Sequence, residues 1–357
     1  MFILGVESTA HTFGVGIVTD KGKVVANVKD SYTSPDKGMI PHEIAEHHQR
    51  VAEEVLAKAL HDAGKTWKDI SFIAYSAGPG LDPALWMGYK IVKEWAQKHG
   101  KKLVGVNHCC AHLSIGKIWN KLHDPCYLYV SGVNTQVIVF EGGKYRIVGE
   151  TLDIGLGNML DKFGRVLGLG FPAGPRMEEL AKKGKYVELP YTVKGMDVSF
   201  SGVLTKVEQL WKKKPTWGEL LKKQGKSVSV PYMGEAVGAE GKEIITRIHT
   251  EELNKLISKE DLCFSIQETC FAMCTEVVER AMANTGRKEL LLVGGVGANK
   301  RFCEMLGKMC LSREAAFYNV PMDLATDNGA MIAWEGFLRR KEYGDIEVKP
   351  HWRTDEV

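Results

Sequence analysis

Several common features are scarce or missing in this chain of 357 residues, and each absence narrows its class. No apolar run approaches the ~20 residues that cross a bilayer, so no membrane span is expected. Eight cysteines are scattered along the chain, two of them adjacent at Cys109 and Cys110, and no CxxC pair occurs. That spacing is not a disulfide framework. Reduced thiols fit, and a cytoplasmic location is expected, with the nucleus as a further compartment. No basic segment precedes the first apolar stretch, so a signal peptide is not expected. Net charge is small, 47 basic against 44 acidic residues, so nucleic acid would have to be met by local patches. A zinc-protease HExxH is also missing. In HEIAEHH (His42 to His48) the residue four after His42 is Glu46, and His47 lies about 140° away around a helix. The segment reads as a solvated helix start. With 44% hydrophobic and 25% charged residues, the remainder has the profile of an ordinary globular protein of two lobes.

Strand signals recur at two places. FILGVES (Phe2 to Ser8) is an apolar strand, Thr9 to Thr12 a turn, and FGVGIV with KVVANV a hairpin around the DKGK turn. CYLYVSG (Cys126 to Gly132) repeats this, with Val133 to Thr135 as the turn and QVIVFEGGKYRIV as the hairpin. Two such openings, about 120 residues apart, point to an internal duplication. Duplicated lobes of this kind resemble the actin-like ATPase (ASKHA) fold, an α/β architecture with a nucleotide cleft between the lobes. Each polar turn can present N–H groups to phosphate from one side of that cleft. A third element agrees. LLLVGGVGAN (Leu290 to Asn299) is a buried strand running into Gly294, Gly295 and Gly297. In actin-like folds this glycine turn contacts adenosine; a sharp strand-to-helix turn without a ligand reads the same way.

Helical periodicity fills the gaps. Helices are predicted over 42–64 and 264–286, each closed by glycine, and over 326–344 behind a Thr/Asp cap. The expected organisation is a first lobe over 1–120, completed by the 326–344 helix. A second lobe spans 121–325, and an extended polar surface strap follows over 345–357.

The chemistry centres on an HxxxH, His108 and His112 in GVNHCCAHLSIG. Two histidines four apart lie about 40° apart around a helix, so both imidazoles can reach one ion. Two ordinary core or surface histidines have the same spacing. Asp327 in ATDNGAM offers a carboxylate and reads equally as a helix cap. Tyr129 in LYVSGVNTQ offers a phenol and reads equally as a strand tyrosine.

Taken in order, ESTAHT, SAGPGLDPAL, GVNHCCAHLSIG, LYVSGVNTQ, GETLDIGLGNMLDKFGR, ELPYTVKGMDVSFSG, SIQETCFAM, VGGVGAN, TDNGAMIA and HWRTDEV run from end to end. Together they resemble the tRNA N6-adenosine threonylcarbamoyltransferase family, and more closely its archaeal and eukaryotic branch, the catalytic subunit of the KEOPS complex. The resemblance implies that His108, His112, Tyr129 and Asp327 hold one divalent metal ion, iron or zinc. It implies an adenine-nucleotide pocket lined by Tyr129, Val130, Ser131, Gly132, Val133, Asp161, Gly174, Glu178 and Asn299. The implied reaction moves threonylcarbamate from threonylcarbamoyl-adenylate to N6 of the adenosine 3′ of the anticodon, in tRNAs reading ANN codons. Implied partners are tRNA and other KEOPS subunits, among them a small kinase-like ATPase.

The chain departs from the family pattern in places. SGVNT stands where the family has SGGNT. A positive φ at Val133 would be strained, which keeps open the alternative of an inactive nucleotide-binding scaffold. Ser8 replaces a glycine, and FPAGPRME differs from the bacterial form while keeping Gly174 and Glu178 in register. An insertion over about 206–260 carries Lys206, Lys212, Lys213, Lys214, Lys222, Lys223 and Lys226, interleaved with Trp211 and Trp217. It reads as a tRNA backbone contact or as a solvated loop.

Overall fold

The computed structural model describes residues 1–34, 39–212, 257–342 and 344–357. In chain order the first half forms β1 (Phe2–Glu7), β2 (Thr12–Thr19), β3 (Val24–Ser31), α1 (Pro41–Ala63), β4 (Ile70–Gly78), α2 (Asp82–His99), β5 (Leu103–Asn107) and α3 (His108–Asn120). The second half forms β6 (Cys126–Val130), β7 (Thr135–Glu141), β8 (Lys144–Glu150), α4 (Leu156–Val166), α5 (Gly174–Ala181), a small hairpin of β9 (Val193–Lys194) and β10 (Asp197–Val198), and α6 (Ser201–Lys212). After the undescribed stretch come α7 (Lys259–Thr285), β11 (Glu289–Val293), a 3-10 turn (Gly295–Ala298), α8 (Lys300–Ser312), β12 (Ala316–Asn319), α9 (Met322–Ala325) and α10 (Gly329–Arg339).

The two five-stranded sheets have the same topology. One runs β3-β2-β1-β4-β5; the other, taken from its outer hairpin, runs β8-β7-β6-β11-β12. In each, the first three strands form an antiparallel meander and the last two join in parallel. The strand openings at residues 2 and 126 are therefore equivalent, as the two sequence signals imply. β1 and β2 are buried along almost their whole length. This is what a central strand covered on both faces requires, and it explains their unbroken apolar runs.

Helix exchange ties the lobes together. α3 leaves the first sheet and packs on the second, where Gly116 lies against Leu291, Val293 and Val320. α10 follows the second sheet and packs on β1, β2 and β4 of the first. Its approach is close enough to dictate glycine on both sides. A Cβ at Gly16 would stand 2.1 Å from the Ala330 nitrogen, and one at Gly329 2.1 Å from the Gly16 nitrogen. Alternation along β6 then sorts its side chains. Tyr127 and Tyr129 face α3 and the interlobe core, whereas Cys126, Leu128 and Val130 face the core of their own lobe.

Helix ends depart from expectation in instructive ways. α1 spans Pro41–Ala63 with Gly64 left-handed behind it, close to the predicted 42–64. α7 begins five residues before Phe264, because Ser258 and Asp261 form a reciprocal capping box. The predicted 326–344 helix is the shorter α10, Gly329–Arg339, and the short α9 precedes it, with Thr326–Asn328 between them. The cap is Asn328, which accepts the Met331 N–H, so Asp327 lies outside the helix. His47 and His48 are buried rather than solvated. His47 Nε2 meets Asp30 at 2.7 Å, and His48 packs on Phe13. The final residues are not a surface strap: Trp352, Thr354 and Val357 are buried. Lys349 donates to the Ala77 carbonyl, and the Asn107 amide donates to the carbonyls of Trp352 and Arg353. Among the described residues no helix is long and apolar enough to cross a membrane.

Candidate metal centre and the adjoining cleft

The two crossover helices place the candidate ligands. Asn107, the last residue of β5, caps α3 by accepting the Cys110 N–H at 3.1 Å. Helix therefore starts at His108, and His112 follows one turn on along the same face. Their rings are buried, 4.7 Å apart between centroids and nearly perpendicular. Asp327 enters from the segment just before α10. Its Oδ1 lies 3.3 Å from His112 Nε2 and 3.6 Å from His108 Nε2. One donor atom from each of the three falls within 4.8 Å of the others. Tyr129 completes the set from β6, its ring 5.3 Å from that of His112. Its hydroxyl is buried and makes no hydrogen bond. All four residues singled out by the sequence are thus brought together.

The surroundings set their charge states. Burial pushes His108 down, but the Glu7 carboxylate and then Asp327 outweigh it, and the imidazole is raised to about 9. His112 is lowered by burial, against the hydrogen bond it donates to Asp327. Burial would raise Asp327, yet the His112 hydrogen bond and the two imidazoles hold it well below the usual carboxylate range. Tyr129 is pushed well above an ordinary phenol, chiefly by burial. Two imidazole nitrogens, a carboxylate and an unpartnered phenol oxygen form a nitrogen and oxygen donor set of the kind that suits zinc or iron. A buried phenol without a partner is costly in a metal-free protein and satisfied beside a cation, so the residues fit an ion.

Next to this cluster lies the turn after β6. Asn134 donates its side-chain N–H to Cys109 Sγ at 3.5 Å, tying the turn to α3. The Ser131 N–H donates to the Asn134 carbonyl, and Ser131 Oγ accepts the Asn134 N–H. The carbonyls of Ser131 and Gly132 accept the Gly157 and Asn158 N–H groups in the first turn of α4. Val133 is 67% exposed. It is not among the non-glycine residues with positive φ, which are Lys121 and Glu314 among those described, so the valine carries no backbone strain. Gly294 does have positive φ, 93°, and a Cβ there would stand 2.3 Å from the Val130 carbonyl. Only glycine lets this turn close onto β6.

The other expected pocket residues form two further pairs. Asp161 on α4 accepts the Ala173 N–H at 2.8 Å, immediately before Gly174 opens α5. Glu178 on α5 accepts the Lys300 N–H at 3.0 Å, while Asn299 caps the same α8 and donates to Gln267 at 2.6 Å. Glu178 and Asn299 therefore meet at one helix start. Lys206 and Lys212 lie on α6, where Lys212 faces Glu208 at 3.9 Å. Lys213, Lys214, Trp217, Lys222, Lys223 and Lys226 lie outside the described residues.

Sequence reasoning passed over three neighbours. Glu7 is fully buried and sits 2.9 Å from His108 Nδ1; Thr9 Oγ1 lies 3.2 Å from the same atom. Lys29 donates to Thr326 Oγ1 at 2.6 Å, beside Asp327. A lone carboxylate closing the otherwise apolar FILGVE was the available signal for Glu7.

Known proteins give the geometry its context. A family model described as tRNA N6-adenosine threonylcarbamoyltransferase matches residues 23–334. The enzyme of that name from Thermococcus kodakarensis is 47% identical over 363 residues, covering 100% of this chain and 98% of its own. That of Methanopyrus kandleri is 44% identical over 372 residues, covering 100% and 95%. A probable bifunctional tRNA threonylcarbamoyladenosine biosynthesis protein from Methanocaldococcus jannaschii is 41% identical, covering 100% of this chain but 60% of its own. Among solved structures, T. kodakarensis HypF superposes with a TM-score of 0.54 at 14% identity, over 94% of this chain and 47% of its own. The activator of 2-hydroxyisocaproyl-CoA dehydratase from Clostridium difficile, with bound ADPNP, gives 0.50 at 12% identity, over 97% and 100%. These two bear on the fold alone, which is that of the actin-like ATPases. Identity sustained from end to end, together with the matched family model, goes further: the chain belongs to the tRNA N6-adenosine threonylcarbamoyltransferase family.

Proposed function

We propose that the protein transfers the threonylcarbamoyl group from threonylcarbamoyl-adenylate to N6 of the adenosine 3′ of the anticodon in tRNAs reading ANN codons. One observation carries the reading to a mechanism: the convergence of His108, His112, Asp327 and the unpartnered Tyr129 hydroxyl beside the turn after β6. These four side chains would hold one divalent ion, zinc or iron. Such an ion supplies Lewis acidity that polarises and orients the acyl donor.

The chain's own residues do the rest. In the transfer the N6–carbonyl carbon bond forms, the carbon–oxygen bond to phosphate breaks, AMP leaves and N6 gives up a proton. An exocyclic adenine amine is a weak nucleophile, so positioning matters most. The turn Tyr129 to Val133, with Asn134, borders the cluster and suits the phosphate side of the adenylate. Gly174 has room for it, since a Cβ there meets nothing within 4 Å. Asp161, Glu178 and Asn299 lie on α4, α5 and the glycine turn, which suits the nucleoside side. The target base is reachable because anticodon-loop bases can be splayed out of their stack.

The alternative of an inactive scaffold drew on strain at Val133, and the ordinary φ of that residue leaves it without support. Partner subunits of a KEOPS-type assembly, including a small kinase-like ATPase, belong to the same proposal. Relatives named as bifunctional, of whose length this chain spans 60%, favour a system of several components. The eight cysteines are free thiols, seven of them buried, which suits the reducing cytoplasm.

The test pairs elemental analysis with a threonylcarbamoyl-transfer assay on wild type and His112→Ala. Loss of both metal and transfer in the variant is expected. Metal retained while transfer is lost would move the ion away from this cluster, and a wild type free of metal yet fully active would end the metal reading.

A further inference from the structure

Glu7 closes β1 with a carboxylate in a site that excludes water. A buried carboxylate is tolerated only when its oxygens are satisfied. Oε1 accepts the Thr9 N–H at 2.7 Å and also the Thr9 hydroxyl. Oε2 lies 2.9 Å from His108 Nδ1. Thr9 Oγ1, 3.2 Å from the same nitrogen, has already directed its proton to Glu7, so it too offers a lone pair. Both neighbours of His108 Nδ1 are acceptors, and that nitrogen must therefore carry a proton. The remaining nitrogen, Nε2, is the one facing Asp327 at 3.6 Å.

We propose that Glu7, backed by Thr9, is the positioning residue that fixes the tautomer and ring orientation of His108, so that Nε2 presents its lone pair to the ion. This rests on the metal reading above and deepens it. The contrast with His112 gives the proposal its force. His112 Nδ1 is buried with no hydrogen-bond partner, so nothing comparable fixes that ring. His108 is held by a carboxylate behind its ligating nitrogen, whereas His112 has no partner at Nδ1 and hydrogen-bonds only through Nε2, with Asp327. A partner of this kind behind a ligating histidine typically contributes 10–100-fold in metal affinity.

Glu7→Gln is the informative substitution because it keeps the shape. A glutamine has one acceptor and one donor where Glu7 has two acceptors. Either its N–H₂ faces the Thr9 N–H, opposing donor to donor, or it faces His108 and drives the ring proton to Nε2, where the ion should bind. Zinc affinity is measured by competition with a chromophoric chelator at about pH 9.5, where proton competition at the histidines is small. The expected loss is about 10–100-fold, with the thermal transition of the metal-free protein still cooperative. Thr9→Val removes the hydroxyl but leaves the carboxylate on His108, and is expected to stay within about threefold of wild type. Histidine-labelled protein supplies a second readout that needs no metal, taken at about pH 10, where His108 has lost its extra proton and one tautomer remains. The His108 Nδ1–H resonance should be slowly exchanging in wild type and lost in Glu7→Gln.

Zinc affinity unchanged within about twofold in Glu7→Gln would overturn the proposal. So would an unprotonated His108 Nδ1, or a Thr9→Val variant as weak as Glu7→Gln, since the turn alone would then matter. Should Glu7→Gln fail to fold, the wild-type Nδ1–H signal still decides. A wild type that binds no zinc while showing that signal sinks the metal reading and leaves the carboxylate–histidine pairing standing.

Discussion

Binding of zinc to the metal-free protein should expel protons, and the site fixes how many. At about pH 7 His108, raised to about 9, is a cation in about 99 of 100 molecules. His112 is neutral, Asp327 ionised and Tyr129 a phenol. Coordination through His108 Nε2 must displace one proton, and coordination by a Tyr129 phenolate a second. Competition at His108 alone weakens the apparent affinity about 100-fold at about pH 7, close to 3 kcal/mol. The affinity should therefore climb at least tenfold per pH unit up to about pH 9. Titration calorimetry in buffers of different ionisation enthalpy counts the protons directly. Wild type should release about two, Tyr129→Phe about one, and His108→Gln one fewer than wild type.

The same histidine sets a slope in metal-free stability. Its folded value lies above the ordinary 6.5. The gain, about 3 kcal/mol, is thus fully present below about pH 6.5 and is lost as pH rises to about 9. Subtracting the His108→Gln profile should isolate it. A wild type that takes up zinc at about pH 7 without releasing a proton would mean a neutral His108, and the account of Glu7 and Asp327 acting on it would be wrong.

Four further outcomes separate stability from binding. His48 is buried and lowered to about 4, chiefly by burial with His47 adding. Stability held above about pH 6.5 should fall by about 3 kcal/mol on acidification to about pH 4, a loss that His48→Gln removes in urea titrations. Gly16→Val drives a Cβ into the Ala330 backbone and should cost about 3 kcal/mol or more. Gly174→Ala meets open space, so it should leave the melting temperature unchanged while weakening adenylate binding in a filter assay. Trp352→Ala empties a buried site worth about 3–5 kcal/mol and loosens the backbone that holds the Asn107 amide. Zinc affinity should fall with it, measurable by chelator competition, because Asn107 caps the helix that carries both histidines.

What was legible in the chain was local or repeated. The apolar openings at Phe2 and Cys126 exposed the duplication, since each lobe has to rebuild the same buried central strand. Glycine marked the ends of α1 and α7, because a left-handed residue there is nearly free only for glycine. Signals failed where a residue had a distant partner. The pair His47 and His48 looked solvated because Asp30 and Phe13, which cover it, come from other strands. HWRTDEV looked like a polar strap, yet its Trp352 and Val357 are buried and its backbone carbonyls bind Asn107.

The metal cluster shows the same limit more sharply. Spacing alone put His108 and His112 on one helical face, but it could not tell a ligand pair from two core histidines. Nor could it choose Asp327 over the helix cap that it superficially resembles. Asn328 occupies that cap with three hydrogen bonds: its Oδ1 accepts the Met331 N–H, and its amide N–H groups donate to the carbonyls of Leu324 and Thr326. Because Asn328 takes the capping role, the carboxylate one residue earlier is free to turn toward the imidazoles. The exchange of α3 and α10 between lobes then brings the two helix starts together, and the period of two along β6 points Tyr129 at the same place. No one of these placements makes a metal site. Their coincidence follows from a duplicated fold whose lobes are joined by crossed helices, so substitutions that disturb the crossing, as at Gly16, should cost the ion as well as the fold.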